Sequence, residues 1–112
     1  MLNLASTSDI VRVVTSAAAQ IEVHASWGDL TVSSGAVDLG RQNTAAITTA
    51  TTTTVVPSPS AGVVRNVKHL NITNDHASVA CVITVEHTDG TTAVEMISVT
   101  LLAGENMVLG ED

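Results

Sequence analysis

An all-β fold is the class that the sequence predicts: an antiparallel β-sandwich or jelly-roll-like barrel of about six to eight short strands, with an extended Thr-rich arm or edge segment. Apolar and polar residues alternate in several short segments, which is typical of half-buried strands. Turn residues separate these segments about every eight to twelve positions. No interval between them carries a helical pattern, so two packed sheets are favoured over a mixed fold.

The composition indicates one domain, residues 1–112, whose core contains few large side chains. Hydrophobic residues make up 45 % of the chain and charged residues 13 %, and Trp27 is the one aromatic residue in a chain without Phe or Tyr. Aliphatic side chains bury less area than aromatic rings, so a single copy is expected to be marginally stable. Because sparse charge leaves apolar surface for neighbours to cover, we expect a homo-oligomer.

The net charge and the absence of targeting patterns limit the kinds of partner. The net charge is −7, and the four basic residues are scattered along the sequence: Arg12, Arg41, Arg65 and Lys68. A nucleic-acid surface needs clustered Lys and Arg, and an anionic membrane attracts basic amphipathic helices. Neither pattern occurs, and there is no signal-peptide pattern and no apolar run of membrane length. We therefore expect a soluble protein that binds neither nucleic acid nor membranes.

Two strands are predicted near the N-terminus. Residues 9–15, DIVRVVT, are rich in β-branched side chains. In residues 21–27, IEVHASW, the apolar side chains Ile21, Val23, Ala25 and Trp27 alternate with polar ones. The pair Gly28–Asp29 is expected to end this second strand in a turn.

The strongest local pattern is a hairpin over residues 82–101. Asp89–Gly90 is a sequence that favours a two-residue type I′ turn, because both positions can take positive φ angles. Counting outward from that turn pairs Val85 with Val94 and places apolar side chains of both strands on one face. Farther from the turn, both faces are apolar, so this end of the hairpin is expected to be covered on both sides.

Two further segments are predicted to flank the hairpin. In residues 64–74, Leu70 and Ile72 are out of phase with Val67, and a β-bulge near Lys68–His69 would reconcile them. Residues 101–110 predict a strand, a turn at Gly104 and a second, short strand.

Residues 47–62, ITTATTTTVVPSPSAG, contain no charged side chain, and threonine disfavours helix. Two interpretations remain open. The segment is either a long edge strand followed by a loop, or residues 43–62 form an extended arm that adds backbone hydrogen bonds to a neighbouring subunit. Pro57 and Pro59 cannot donate to a sheet and are expected to end the strand. Under the arm hypothesis the partner-binding residues are Ile47, Thr51, Thr53, Val55, Val56 and Pro57.

The chain carries no recognisable catalytic or metal-binding motif. Its histidines, His24, His69, His76 and His87, show no paired spacing of the kind that metal sites use. There is no G-x-S-x-G elbow for a nucleophilic serine, and the carboxylates are dispersed. Cys81 is in phase with Ile83 and Val85, which predicts a buried small side chain instead of a reactive thiol. We expect no enzymatic activity, no metal and no cofactor, and we interpret Trp27 as a core residue in preference to a sugar-stacking platform.

Three segments resemble a family of small structural proteins of tailed bacteriophages: MLNLASTSDIVRVVTSAAAQIEVHASW, TTATTTTVV, and RNVKHLNITN followed by ITVEHTDGTTAVEMISVTLLAGE. They cover most of the chain in the family's order. The resemblance implies an all-β subunit of a virion, assembled in the cytoplasm of a bacterial host, with no catalytic residues to carry over. Family members often continue past the LAAGE-like turn into one more strand, which this chain is expected to have in shortened form or to lack.

Within a virion, a capsid decoration (cement) protein that bridges capsomers fits these features best. Such subunits are commonly trimeric, so the expected partners are further copies of this chain in a trimer, and the major capsid protein or other virion proteins. A neck or tail component and a receptor- or glycan-binding module on the virion are the alternatives. A cupin-like metalloenzyme is a third, weaker hypothesis that would require a bound metal.

Overall fold

Nine β-strands make up all of the regular structure between residues 2 and 110, the part of the chain that the computed structural model describes. Met1, Glu111 and Asp112, at the ends of the predicted domain, lie outside the described residues. The strands are β1 (Leu2–Leu4), β2 (Ile10–Thr15), β3 (Ile21–Thr31), β4 (Val37–Ile47), β5 (Thr52–Val56), β6 (Val63–Asn74), β7 (Cys81–Thr88), β8 (Ala93–Leu101) and β9 (Asn106–Gly110). None of the elements in this range is a helix that could span a membrane.

The strands form two antiparallel sheets packed face to face, which confirms the predicted β-sandwich. The first sheet has the order β1-β6-β3-β4, with β9 following β1 along the same edge of β6. The second sheet has the order β5-β2-β7-β8. The strand count exceeds the predicted six to eight because the short β1 and the strand β4 carry no clear alternation in the sequence.

The core lies between the sheets and is built from the inward side of each alternating strand. In β3, Ile21, Val23, Ala25 and Trp27 are all buried, as predicted from their spacing. The strand does not end at Gly28, however. It continues to Thr31 because β4 and β6 both pair with it along this extension, so that backbone bonding overrides the local turn preference.

The predicted bulge in β6 is present. Ser26 of β3 lies opposite His69 and Trp27 lies opposite Val67, so Lys68 is the extra residue. The bulge brings Val67, Leu70 and Ile72 onto one buried face, which resolves the phase conflict seen in the sequence. The turn at Gly104 is also confirmed, with φ of +83°, and the short strand β9 follows it.

The β7–β8 hairpin exists, but the predicted register is wrong. His87, and not Val85, lies opposite Val94, and a bulge then pairs Val85 with Ile97. The connection is four residues long because Asp89 Oδ1 accepts the N–H groups of Thr91, at 2.9 Å, and Thr92, at 2.7 Å. These N–H groups, led by that of Thr92, hold the pKa of the Asp89 carboxyl below its ordinary value. Side-chain capping of the loop therefore prevails over the two-residue turn.

The Thr-rich segment is the edge strand of the two interpretations, not a detached arm. Residues 52–56 are β5, which pairs with β2 at the edge of the second sheet. The approach to β5 is held by Thr15, whose hydroxyl donates to the carbonyl of Thr49 at 2.7 Å and accepts the N–H of Thr51 at 3.2 Å. The strand ends before Pro57, as expected.

Candidate interaction surface

The β3–β4 hairpin carries the main exposed apolar surface of the described residues. The two strands are 11 residues each, and the connecting turn tip, together with the first residues of β4, is exposed on both sides over residues 32–39. Leu39 is 85 % exposed and Val37 is 64 % exposed. Valine and leucine side chains that remain exposed contribute little to the stability of the fold. Covering them with another protein removes apolar surface from water and is favourable.

These side chains share one face because of the strand register. Leu30 lies opposite Val37 on β4 and opposite Val64 on β6, while Gly28 lies opposite Leu39. The side chains of Leu30, Val37, Leu39 and Val64 point away from the core, since the alternate residues of β3 point inward. We call the set Leu30, Val37, Leu39 and Val64 the outer apolar face.

A shallow groove of about 430 Å³ runs across the outer apolar face. Gly28 forms part of its floor, because the absence of a side chain there leaves room between Leu39 and Lys68. Asn3, Asn66 and Lys68 line its polar rim. An apolar centre with a polar rim is the usual arrangement of a protein-binding surface.

A glycine at position 40 ties the hairpin to the core. Gly40 lies opposite Trp27, and a Cβ at this position would overlap the Trp27 indole. Trp27 is 7 % exposed, which confirms it as a core residue. Because the ring packs against bare backbone, a side chain at position 40 would have to displace the indole.

Arg65 braces the base of the hairpin. Its guanidinium binds Asp29 through two bonds, Nε to Oδ1 at 2.9 Å and Nη2 to Oδ2 at 3.1 Å, and donates from Nη1 to the carbonyl of Pro57 at 2.7 Å. The guanidinium carbon also lies 4.4 Å from the centroid of the Trp27 ring. This arrangement links β3, β6 and the loop after β5, and a planar, bidentate donor such as Arg is suited to it.

Farther along the same sheet, the outer surface carries polar side chains beside the exposed Val108 of β9. His24 Nδ1 hydrogen-bonds Asn43 Oδ1 across β3 and β4, and Asn106 donates to both Asn71 and Thr73 across β9 and β6. These side-chain hydrogen bonds link neighbouring strands on the outer surface of the sheet. They therefore stabilise strand pairing between the apolar end of the sheet and its opposite end.

A second polar cluster lies at a loop of the other sheet. The Asp9 carboxylate is buried and accepts the N–H groups of Ala5, at 2.7 Å, and Ser6, at 2.8 Å. Burial by itself raises the pKa of Asp9, but the hydrogen bonds from Ala5 and Ser6, with the nearby His87, outweigh it and lower that pKa overall. His87 Nε2 lies 3.3 Å from Asp9 Oδ1. The cluster anchors the β1–β2 connection.

The residues predicted to bind a partner do not form one exposed surface. Val55 and Val56 are both 0 % exposed and Ile47 is buried, so all three belong to the chain's own core. Thr51 is exposed, while Thr53 and Pro57 are half-buried. A partner could reach the buried three only if β5 left its sheet, and the core contacts of the two valines oppose this.

The residues of the outer apolar face were missed by the sequence analysis. Residues 31–42 alternate weakly, so the register that exposes Val37 and Leu39 could not be derived from them. One usable signal was present: Leu30 continues the alternation of β3 in phase with the polar positions Glu22, His24 and Ser26. Extended through Gly28, that phase places Leu30 on the solvent side.

No group of three His, Cys, Asp or Glu side chains that could hold a metal ion occurs among residues 2–110. Cys81 is buried, as its phase predicted, and its sulfur lies within 3.9 Å of the Ala17 carbonyl oxygen. His76 Nδ1 accepts the N–H groups of Ser78 and Val79 in the loop before β7. These side chains therefore have structural roles, whereas the outer apolar face contains Leu39, which at 85 % is the most exposed of the large hydrophobic side chains among the described residues.

Comparison with known proteins adds no relative: the chain matches no family model, no curated protein and no solved structure.

Proposed function

We propose that this chain is a structural protein of a tailed-phage virion, acting as a capsid decoration protein that stabilises the head by bridging capsomers. The observation that carries the proposal is the outer apolar face, where Leu39 is 85 % exposed at the end of a braced hairpin. A rigid element that presents aliphatic side chains to solvent is suited to docking on another protein. The sequence resemblance to small phage structural proteins supplies the biological context.

The physical work of such a protein is a shift of equilibrium. A subunit that binds the assembled shell, but not its separated components, stabilises the shell by mass action. The fold suits this role because Arg65, Trp27 and Gly40 hold the hairpin in place before binding, which reduces the ordering cost of association. A net charge of −7 also keeps the free subunit soluble despite its apolar face.

A neck or tail component would use the same surface and differs in copy number. The glycan-binding alternative has less support, because Trp27, the one ring that could stack on a sugar, is buried. Quantitative mass spectrometry of purified particles separates the first two: a decoration protein is present in hundreds of copies and a neck or tail protein in about a dozen or fewer.

The binding test uses particles depleted of this protein and the purified chain. We expect the wild type to co-sediment with the heads up to saturation and to raise the temperature at which they release DNA. Replacing Leu30 by Lys, on the outer apolar face, should abolish both effects. Val94→Lys is the matched control, since Val94 is comparably exposed but lies in the other sheet. Equal binding by both variants, or no binding by the wild type, would contradict the proposal.

A further inference from the structure

Strand β4 is a long edge strand with an open side. It spans 11 residues and pairs with β3 alone. Its one irregularity is confined to the region opposite Ile21–Val23, so residues 37–44 are regular. The N–H and C=O groups on its outer edge have no strand partner among residues 2–110, and such an edge is a template for another strand.

The register tells which backbone groups point to the open side. Thr31 N–H donates to the Ala36 carbonyl, so the pair Thr31–Ala36 is of the hydrogen-bonded type. Antiparallel pairs alternate between bonded and non-bonded types, and the even-numbered residues of β4 therefore bond to β3. The N–H and C=O groups of Val37, Leu39, Arg41 and Asn43 point away from β3, toward the open edge.

We propose that a second copy of this chain pairs antiparallel along this edge, about a two-fold axis at Gly40. Leu39 then lies opposite Arg41 of the second copy, and Val37 lies opposite Asn43 of the second copy. The four outward-pointing residues of each copy form about eight interstrand hydrogen bonds, within the range of an ordinary protein interface.

Charge selects this register among its neighbours. A two-fold axis at Asp38 would place the two Asp38 carboxylates opposite each other, and an axis at Arg41 would oppose the two guanidinium groups. Like charges in directly opposed positions are destabilising. An axis at Leu39 avoids both clashes, but it leaves Asn43 opposite the turn at Gly35 and so yields fewer bonds. With the axis at Gly40, Asp38 faces the neutral Gln42 of the second copy.

The other sheet edges of the described chain offer less. Strand β5 has 5 residues, β1 has 3 and β9 has 5. Strand β8 has 9 residues, but a bulge next to its pairing with Val85–Glu86 interrupts it, and Glu95 adds a charge. A second copy is also a partner that carries the same regular, nearly neutral edge despite the net charge of −7 of the whole chain.

This pairing adds detail to the proposed function, and its biological role rests on that function. The axis is perpendicular to the sheet, so the outer apolar faces of both copies point to the same side. Two grooves then lie next to each other on one continuous sheet. A bivalent surface of this kind binds two neighbouring shell subunits with greater avidity than either face alone.

Analytical ultracentrifugation over a concentration series tests the pairing in the full chain. We expect a concentration-dependent dimer for the wild type. Leu39→Pro removes only an N–H that points to the open edge, and it should weaken dimerisation roughly tenfold or more because one bond per copy is lost and the edge is blocked. Leu39→Ala is the matched control, since it shortens the same side chain but keeps the N–H, and its dimer should be less affected.

Hydrogen exchange keeps the test decisive if Leu39→Pro fails to fold. In the wild type, raising the concentration should protect the amides of Val37, Leu39, Arg41 and Asn43, whereas those of Asp38, Gly40 and Gln42 are protected throughout. A strict monomer, a trimer, or a dimer without this alternating protection overturns the inference. A dimer that does not bind shells contradicts the proposed function alone, and a monomer that binds them contradicts the pairing alone.

Discussion

The Thr-rich segment and the tip of the β3–β4 hairpin differ in where their apolar side chains lie. An arm for a partner was one of the two interpretations of residues 43–62, yet Val55 is 0 % exposed in the chain's own core. Residues 31–42 alternate too weakly to predict which side chains are exposed, yet Leu39 is 85 % exposed. Apolar, β-prone composition therefore does not locate an interface. The strand partners available to a segment decide whether its side chains are buried at home or left for a neighbour.

The largest difference in stability between the two regions is expected when a charged side chain is placed in each of them. Val55→Asp should destabilise the fold by about 4 kcal/mol or more, because a carboxylate would be buried in the apolar core without a partner. Leu39→Asp should change the free energy of unfolding by less than about 0.5 kcal/mol, since the side chain is already in water. Urea denaturation at low protein concentration measures both values. Similar losses for the two variants would contradict the assignment of core and exposed surface.

A second prediction concerns the brace that holds the exposed hairpin on the core. Arg65→Met should cost about 2–3 kcal/mol, because it leaves Asp29 without its bidentate partner and the Pro57 carbonyl without its donor. Arg41→Met, in the hairpin itself, removes an exposed guanidinium and should be nearly neutral. Thermal unfolding of both variants provides the measurement. If Arg65→Met is as stable as Arg41→Met, the hairpin is not braced through this residue.

The loop before β2 should respond to acid. The pKa of Asp9 is lowered from its ordinary value of 3.8 in the folded state, so the unfolded chain takes up the proton first as the pH falls. The stabilisation is therefore present above about pH 3.8 and is lost as the pH drops through the folded pKa. Asp9→Asn should cost about 1–2 kcal/mol at pH 7 and progressively less at lower pH.

Urea denaturation of the wild type and Asp9→Asn at pH 7, 4 and 3 follows this difference. A stability gap between the two proteins that stays constant, or that widens on acidification, would show that the Asp9 carboxylate is not the stabilising group.

The smallest effect on stability is expected at the outer apolar face. Leu39→Ser should leave the free energy of unfolding within about 0.5 kcal/mol of the wild type but reduce the binding of a hydrophobic dye to the folded protein. Val56→Ser, in the buried strand β5, should do the opposite: it lowers stability and increases dye binding as the fold loosens. A dye signal that does not depend on Leu39 would place the accessible apolar surface elsewhere.

Strong alternation in the sequence was sufficient for much of the fold. It predicted the inward face of β3, the bulge at Lys68 and the burial of Cys81, while β-branched composition predicted β2 and a glycine predicted the turn at position 104, because each depends on neighbours a few positions away. The prediction of a two-residue turn at Asp89–Gly90 was wrong, and the cause is also local. The Asp89 carboxylate accepts two further N–H groups, which lengthens the loop and shifts the register of the hairpin.

The outer apolar face could not be predicted from neighbouring residues in the sequence. Whether Val37 and Leu39 face the core or the solvent depends on how β4 aligns with β3, and weak alternation over residues 31–42 does not determine that alignment. The fate of Val55 and Val56 likewise depends on β2, which lies about forty residues earlier in the chain and offers them a strand edge.

The amino-acid sequence by itself determined that this chain is made of strands, and which side of each well-patterned strand is apolar, since those properties follow from backbone preference and period-two spacing. Only the tertiary structure decided which apolar residues are left uncovered. Which strands pair depends on the edges that distant segments offer each other: β5 pairs with β2, and the outer edge of β4 has no strand partner among the described residues.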